Sequence, residues 1–124
     1  MCDTIFLGPP PQVVEKGWGR EEILVNHEYC AKYLHFNKGA KFSNHYHKLK
    51  RETFIVLSGS LVVRGTNLTN GSTFELPVGK GFIIEIPRFA LHQIEALEDS
   101  IILEISTHHE DSDSYRVAPG DSQK

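Results

Sequence analysis

The sequence contains very little cysteine, and its apolar residues form no long run. Only two of the 124 residues are cysteines, Cys2 and Cys30, which is too few for a disulfide framework. No stretch reaches the roughly 18 apolar residues of a transmembrane helix, so none is predicted. The N-terminus MCDTIFLGPPPQ has neither a basic start nor a long apolar segment, so we expect no secretion signal. We therefore expect a cytoplasmic protein with free thiols, Cys2 lying on a loose tail.

An excess of positive charge is also lacking. Lysine and arginine contribute 13 residues against 16 aspartates and glutamates, and the formal net charge is −3. Neither nucleic acid nor an anionic membrane surface is therefore a predicted partner. Apolar residues make up 40% of the chain and charged residues 23%, which is ordinary for a globular protein. The length suits one domain with a core of its own.

No window shows a helical period, and short β-rich runs alternate with turn residues. The clearest runs are EEILVNH (21–27), YCAKYLHF (29–36), FSNHYH (42–47) and ETFIVLSG (52–59). Runs spaced by roughly eight to twelve residues are typical of an antiparallel sandwich or barrel. The segment GPPPQ cannot join a central strand. We predict a flexible arm over 1–12, a β domain over 13–117 and a disordered tail over 118–124.

Two histidines and a glutamate are closely spaced in SNHYHKLKRE, residues 43–52. Strand residues i and i+2 point to the same face, so His45 and His47 would project together, roughly 6–7 Å apart. Glu52 follows the turn KLKR, and a hairpin there would return it beside the histidines. His92 is a fourth candidate if the fold brings it close. These residues are candidate metal ligands; the alternative is that the two histidines lie on a solvated strand.

These candidates lie in two motifs that resemble the signatures of the cupin family. Residues 39–59, GAKFSNHYHKLKRETFIVLSG, are similar to the first signature, G-x5-H-x-H-x(3,4)-E-x6-G, at every spacing. Residues 81–92, GFIIEIPRFALH, resemble the second signature, G-x5-P-x-G-x2-H-x3-N. Phe89 replaces the glycine after the proline, and Ala96 replaces the final asparagine.

The cupin resemblance implies a fold and a cofactor. The fold would be all-β and antiparallel, a double-stranded β-helix that forms a small jelly-roll barrel. One divalent ion per chain would bind His45, His47, Glu52 and His92 inside it. Zinc, iron, manganese, nickel and cobalt all suit three imidazoles and one carboxylate, so the ligand set does not choose the metal.

A narrower resemblance covers three segments in order, KGWGREEILVN (16–26), SNHYHKLKRETFIVLSGS (43–60) and EISTHHEDSDSYRV (104–117). They are similar to the cupin domain of type II mannose-6-phosphate isomerases and its short stand-alone relatives. Trp18-Gly19 matches the opening of that family, Arg116 matches its closing arginine, and His45 stands where it has glutamine. The resemblance implies a sugar or sugar-phosphate isomerase that interconverts aldoses and ketoses.

Such an isomerase needs a base for a carbon-bound proton and cations for a phosphate. Glu104, in IILEIS, is the candidate base if its strand face is the barrel interior; otherwise it is an outward carboxylate. Arg88, four residues before His92, and Arg116, in the C-terminal segment, are the candidate phosphate ligands, with a solvated arginine as the alternative for each. KLKR (48–51) is interpreted as a charged hairpin turn.

Two other functions stay open on the sequence. The same ligands would suit a non-haem Fe(II) dioxygenase or lyase, which favours a dry pocket. A non-catalytic cupin that binds a metal or a sugar is the third reading, favoured by the short chain. We also expect a homodimer, because the segment EEILVN could form a sheet edge and Trp18 could cover a seam between subunits. The other histidines, His27, His35, His108 and His109, are interpreted as surface or packing residues.

Overall fold

The computed structural model describes residues 4–124 and consists of antiparallel strands and two short 3-10 helices. Cys2 and the beginning of the predicted arm lie outside the described residues. The 3-10 helices span Asp111–Asp113 and Asp121–Gln123. The strands are β1 (Gln12–Lys16), β2 (Gly19–Asn26), β3 (Tyr29–Phe36), β4 (Asn44–His47), β5 (Glu52–Ser58), β6 (Ser60–Thr66), β7 (Thr73–Gly79), β8 (Ile83–Ile86), β9 (Leu91–Ala96), β10 (Ser100–Thr107) and β11 (Ser114–Ala118).

The strands form two facing antiparallel sheets. One sheet has the order β1-β2-β3-β10-β5-β8, and the other has the order β11-β4-β9-β6-β7. From β3 onward most connections cross from one sheet to the other, which is the double-stranded β-helix that the sequence predicted. The two sheets remain separate and are not hydrogen-bonded into a closed barrel. Among the described residues, no helix has the length and apolar character needed to cross a bilayer.

The space between the sheets is apolar at one end and polar at the other. Strict alternation along β3, β5 and β10 sends every second side chain inward. Towards one end the inward residues are apolar, and Ile102 pairs with Leu34 and Val56 in neighbouring strands. Two residues further along β10, Glu104 pairs with Lys32. Each fully buried apolar side chain contributes roughly 1.5–3 kcal/mol to folding, so the apolar end stabilises the fold.

The structure removes the sequence argument for a dimer. Trp18 does not cover a seam; it is 4% exposed and stacks on Phe36 with the ring centroids 4.6 Å apart. The first half of EEILVN is not an edge, because β1 pairs with residues 19–23 of β2 and itself forms the edge there. The homodimer therefore stays a prediction without its original support.

The C-terminal segment that we expected to be disordered packs against the domain in this structure. The Asp121 carboxylate accepts a hydrogen bond from the Lys41 N–H (2.8 Å), and the Asp121 N–H donates to the Lys41 carbonyl (2.9 Å). The Ser122 hydroxyl accepts a hydrogen bond from the Gly17 N–H (3.0 Å). A Cβ at Gly120 would collide with the backbone of Phe42, so glycine permits this close approach.

The turn before β9 contains a strained residue. Phe89 has φ of 68°, in the left-handed region that favours glycine, at the position where the cupin signature has glycine. Its N–H donates a hydrogen bond to the His47 carbonyl (2.7 Å), which joins this turn to β4. The side chain is 52% exposed, so it gains little from packing in return for the strain.

Replacing Phe89 with glycine should stabilise the protein. A left-handed conformation costs a non-glycine residue roughly 1–2 kcal/mol, partly offset by the greater backbone entropy that glycine loses on folding. We expect the free energy of unfolding of Phe89→Gly to exceed that of Phe89→Ala by about 1 kcal/mol, measured by urea denaturation. The alanine variant is the matched control, because it removes the ring and keeps the strain. Equal stability of the two variants would contradict this account.

Asp113 fixes the loop between β4 and β5. Its Oδ1 accepts hydrogen bonds from the N–H groups of Lys48 (2.9 Å) and Leu49 (3.1 Å), and its Oδ2 from those of Leu49 (3.2 Å) and Lys50 (3.0 Å). Burial alone would raise the pKa of Asp113, but these backbone donors outweigh it and lower the pKa below its ordinary value. The charged carboxylate therefore stabilises the folded loop.

Asp113→Asn should destabilise the protein by about 1–3 kcal/mol at pH 7, since one side-chain oxygen would become an amide that faces backbone donors. The folded-state pKa is depressed, so this contribution is complete above the unfolded-state pKa of about 3.9 and is lost as the pH falls through the folded-state value. The stability difference between wild type and variant should therefore shrink from pH 7 to pH 3 in urea unfolding. Asp99→Asn is the control, because Asp99 accepts only one surface hydrogen bond, from Lys38. A difference that does not change with pH would count against this role.

Candidate metal centre

Two neighbouring strands bring three histidines together. In the ladder between β4 and β9, His45 pairs directly with His92. His47 follows two residues after His45 and points to the same side. One ring nitrogen from each of the three residues lies within 4.8 Å of the others. The fold thus joins the two motifs that the sequence left apart, and three imidazoles face one small volume.

A backbone carbonyl fixes the orientation of each imidazole. The Nδ1–H groups donate to the carbonyls of Ser43 (from His45, 2.7 Å), Asp113 (from His47, 3.1 Å) and Ala90 (from His92, 2.9 Å). A carbonyl only accepts hydrogen bonds, so each neutral ring must carry its proton on Nδ1. The lone pair on every Nε2 is then free for a metal, which is the usual arrangement around metal-bound histidines.

Glu52 adds a carboxylate to the same place. Its Oε1 lies 3.4 Å from the His47 Nε2, and its Oε2 lies 3.3 Å from the His92 Nε2. The Nε2 atoms of His47 and His92 and the Oε2 of Glu52 are buried without a hydrogen-bond partner. Several acceptors that converge without a donor repel one another, and a cation among them would satisfy all. The residues therefore fit a divalent metal ion.

The surroundings keep His45 neutral. Burial, together with the neighbouring His92 and His47, lowers the pKa of His45 to about 3. A metal that binds this imidazole at neutral pH would displace no proton from it, which favours binding. His45 is therefore available as a metal ligand over the whole physiological pH range.

A cavity of about 90 Å³ extends from the histidines and has two different walls. Aromatic rings form one wall, where Phe42 lies edge-on to His45 (centroids 5.1 Å apart) and to His92 (5.8 Å). Charged side chains form the other. The charged lining residues outside the histidine cluster are Lys16, Glu21, Lys32, Lys50, Glu52, Glu104, Asp111 and Arg116.

Glu104 points into the cavity and not outward. It is 3% exposed, and its Oε2 accepts hydrogen bonds from the Lys50 ammonium (3.2 Å) and the Ser106 hydroxyl (2.9 Å). The Lys50 ammonium also contacts the Glu52 Oε1 at 2.6 Å. Burial would lower the pKa of Lys50, but Glu104 and Glu52 outweigh it and raise that pKa above its usual value. The Lys50 side chain thus lies between the predicted base, Glu104, and the predicted metal ligand, Glu52.

The two arginines differ in their positions. Arg116 lies opposite His45 in the ladder between β11 and β4 and lines the cavity. Arg88 is not part of the cavity lining, and its Nε donates to the Leu49 carbonyl at 2.9 Å. Of the two candidate phosphate ligands, only Arg116 is placed where a ligand in the cavity would meet it.

Sequence reasoning missed three polar residues of the cavity. Lys50, interpreted as part of a solvated turn, is 3% exposed, and Lys32 is 1% exposed. His109, interpreted as a surface or packing residue, lines the cavity, and its Nδ1 accepts a hydrogen bond from the Lys50 ammonium (2.9 Å). Burial and the charges of Lys50 and Lys32 lower the pKa of His109, so its neutral ring donates from Nε2 to Asp111. The sequence signal that could have identified Lys32 as buried is its inward position in the alternation of β3.

Comparisons with known proteins address the fold. A scan against protein-family models finds no match for this sequence, and neither does a search of curated proteins. Many solved structures match. The capsular polysaccharide assembling protein CapF from Staphylococcus aureus matches with a TM-score of 0.78 at 22% identity, over 90% of this chain and 32% of that one.

Two further structures share the architecture. Oxalate decarboxylase from Bacillus subtilis matches with a TM-score of 0.73 at 19% identity, over 93% of this chain and 34% of that one. KdgF from Halomonas sp. matches with a TM-score of 0.62 at 22% identity, over 75% of this chain and 81% of that one. This chain spans about a third of the length of the CapF and oxalate decarboxylase chains. At these identities the likeness concerns the fold alone, and that fold is the cupin double-stranded β-helix.

Proposed function

We propose that this chain is a metal-dependent enzyme that moves a proton between adjacent carbons of a small sugar-like molecule, as aldose–ketose isomerases do. The observation that carries the proposal is the placement of Glu104. A buried carboxylate lines the same cavity as His45 and His47, and a ring nitrogen of His92 lies within 4.8 Å of theirs. Proton transfer beside a carbonyl needs both a base and a cationic partner for the carbonyl oxygen, and the cavity offers groups for both.

His45, His47 and His92 would hold the metal, with Glu52 as a fourth ligand through the Oε2 that has no other partner. A bound divalent cation would polarise the substrate carbonyl and stabilise negative charge on its oxygen. The Lys50 ammonium contacts the other oxygen of Glu52, so it orients this carboxylate towards the histidines.

Glu104 would act as the base. Lys50 and Ser106 donate hydrogen bonds to its Oε2, which limits the rotation of the carboxylate. In the reaction, the carboxylate takes the proton from the carbon next to the carbonyl, and the C–H electron pair moves to form the enediolate. Returning the proton to the former carbonyl carbon, while the proton of the neighbouring hydroxyl moves to the former carbonyl oxygen, completes the isomerisation. The buried position excludes most water, which protects the intermediate from side reactions.

The aromatic wall favours a second candidate function. Phe42 and Phe54 lie beside His92 and create a dry surface on one side of the site (ring centroids 5.8 and 6.3 Å away). A non-haem Fe(II) dioxygenase or lyase needs such a surface next to its metal. A cupin that binds a metal or sugar without turnover is the third reading. The most specific version of the isomerase proposal has a phosphorylated sugar as substrate, and Arg116 is the candidate ligand of its phosphate.

The first prediction concerns the metal. Protein purified without chelator should contain about one divalent ion per chain, and His92→Ala should weaken metal binding by more than about 100-fold. The reason is that losing a mere hydrogen-bond partner of a metal ligand already costs roughly 10- to 100-fold in affinity. Elemental analysis and titration with Zn²⁺ and Mn²⁺ measure both quantities. His108→Ala is the matched control, because His108 is half exposed and, within residues 4–124, pairs only with Glu110.

The same measurement separates the three functions. Iron with consumption of O₂ would favour the oxygenase, and zinc or manganese with sugar turnover would favour the isomerase. A filled site without either activity would favour the binding protein. If wild-type protein takes up no ion, or His92→Ala retains it with unchanged affinity, the proposed centre is wrong.

The second prediction concerns the base. Glu104→Gln should lower kcat by about 100-fold or more, in line with the roughly 10²–10⁴ that general base catalysis contributes, and should leave the metal content unchanged. Exchange of the substrate C2 proton for deuterium in D₂O, followed by NMR with a panel of sugars and sugar phosphates, measures the proton transfer directly. Glu98→Gln, at an exposed turn, is the control. Undiminished exchange in Glu104→Gln would assign the base elsewhere.

A further inference from the structure

Lys32 is a deeply buried cation whose ammonium lacks a close partner. The side chain is 1% exposed, yet it lines the same cavity as the histidines. Its nearest ion pair is with the Glu21 Oε2 at 3.6 Å, beyond hydrogen-bonding distance. Within residues 4–124 the ammonium makes no hydrogen bond. Glu104 faces it across the ladder between β3 and β10, but the hydrogen bonds of Glu104 go to Lys50 and Ser106.

The Lys32 ammonium is not among the described atoms that are both fully buried and unpaired, so it meets the space of the cavity, where it has no acceptor at hydrogen-bonding distance. The interior of β3 otherwise consists of Cys30, Leu34 and Phe36, so an apolar residue at position 32 would fit the strand. Three N–H donors that point towards a cavity are the groups that an anionic ligand would satisfy. We infer that Lys32 binds the carboxylate of a small sugar-acid substrate; this rests on the proposed function only for the position of the reacting carbons.

The charges around Lys32 select a carboxylate over a phosphate. The charged lining residues are four cations (Lys16, Lys32, Lys50 and Arg116) and four anions (Glu21, Glu52, Glu104 and Asp111), so the lining carries no excess of positive charge. A phosphate dianion would bring two negative charges next to two carboxylates with one ammonium to bind it. A carboxylate brings one charge and needs only two donors. The one arginine in the described cavity lining, Arg116, belongs to the other sheet, and the lining contains no glycine-rich loop to serve a phosphate.

The order of the strands gives the length of the ligand. Lys32 lies on β3 and Glu52 on β5, with β10 and its Glu104 between them. Neighbouring strands are about 4.8 Å apart and Glu52 pairs with Ser106, two residues beyond Glu104, so the backbones at Lys32 and Glu52 are separated by about 12 Å. A ligand of five or six carbons would reach from the ammonium to the histidines, with its middle carbons facing Glu104. That arrangement suits a sugar acid whose carbonyl lies away from its carboxylate.

The test uses the full chain loaded with Zn²⁺ and calorimetric titration with four probes. D-Glucuronate and D-gluconate carry the carboxylate, D-glucose lacks it, and D-glucose 6-phosphate carries a phosphate in its place. We expect at least one carboxylate probe to bind roughly tenfold or more tightly than glucose, since a hydrogen bond to a charged group contributes about that much. Lys32→Met should remove this preference, and Lys32→Arg should retain it.

Two further variants keep the result interpretable. Lys32→Met alone leaves Glu21 without its ion-pair partner. The double variant Glu21→Gln/Lys32→Met removes both charges and should show the same loss of preference for carboxylates. Lys80→Met, at an exposed turn, is the control and should bind like wild type. The inference is overturned if Lys32→Met binds the carboxylates like wild type, if neither carboxylate binds better than glucose, or if glucose 6-phosphate binds more tightly than both.

Failure of the metal proposal would be visible separately. Zinc content is measured for every variant before titration, and the titrations are repeated on metal-free protein. A preference for carboxylates that depends on Lys32 in protein unable to take up zinc would support the inference and contradict the proposed function. Full zinc occupancy without that preference would support the proposed metal centre and contradict the inference about Lys32.

Discussion

One buried ammonium organises the polar half of the domain. The Lys50 Nζ lies 2.6 Å from Glu52, 3.2 Å from Glu104 and 2.9 Å from the His109 Nδ1. Without it, two carboxylates would share a small interior volume with no counter-charge, a situation that costs roughly 3–5 kcal/mol where buried pairs are broken. Its three N–H donors match the three acceptors around it, so the side chain is used completely. The positions of the candidate metal ligand and of the candidate base therefore depend on a single residue.

Asp113 holds the loop between β4 and β5 and thereby places this ammonium. Lys50 reaches inward only because the backbone of residues 48–50 wraps around the Asp113 carboxylate. The carbonyl of Asp113 in turn accepts the Nδ1–H of His47. One residue thus positions both the cation in the cavity and an imidazole of the metal centre. The loop is a structural element of the site, although its composition suggests a solvated turn.

The sequence predicts the strands well because inward and outward residues alternate, as YCAKYLHF does along β3. It predicts the grouping of His45, His47 and Glu52 from spacing, but it needs the cupin resemblance for His92, since only the ladder between β4 and β9 brings that residue near. The side of Glu104 was undecided, because β10 has apolar residues on both faces. Strand β1 pairs locally with β2 but carries few apolar residues to reveal it, and the burial of Trp18 depends on Phe36 and Phe42, which lie far from it along the chain.

The C-terminal segment shows how packing assigns a structural role to a polar sequence. Its glycine, serine and acidic residues predict disorder when they are considered alone. In the fold, β11 pairs with β4, and Asp121 exchanges two hydrogen bonds with Lys41. Ser122 and Gln123 then line the same cavity as His45 and Arg116. A segment held by few hydrogen bonds at the mouth of a cavity is among the first to open locally. This C-terminal wall is therefore the part of the site best suited to admit a ligand, while the ammonium-centred interior remains fixed.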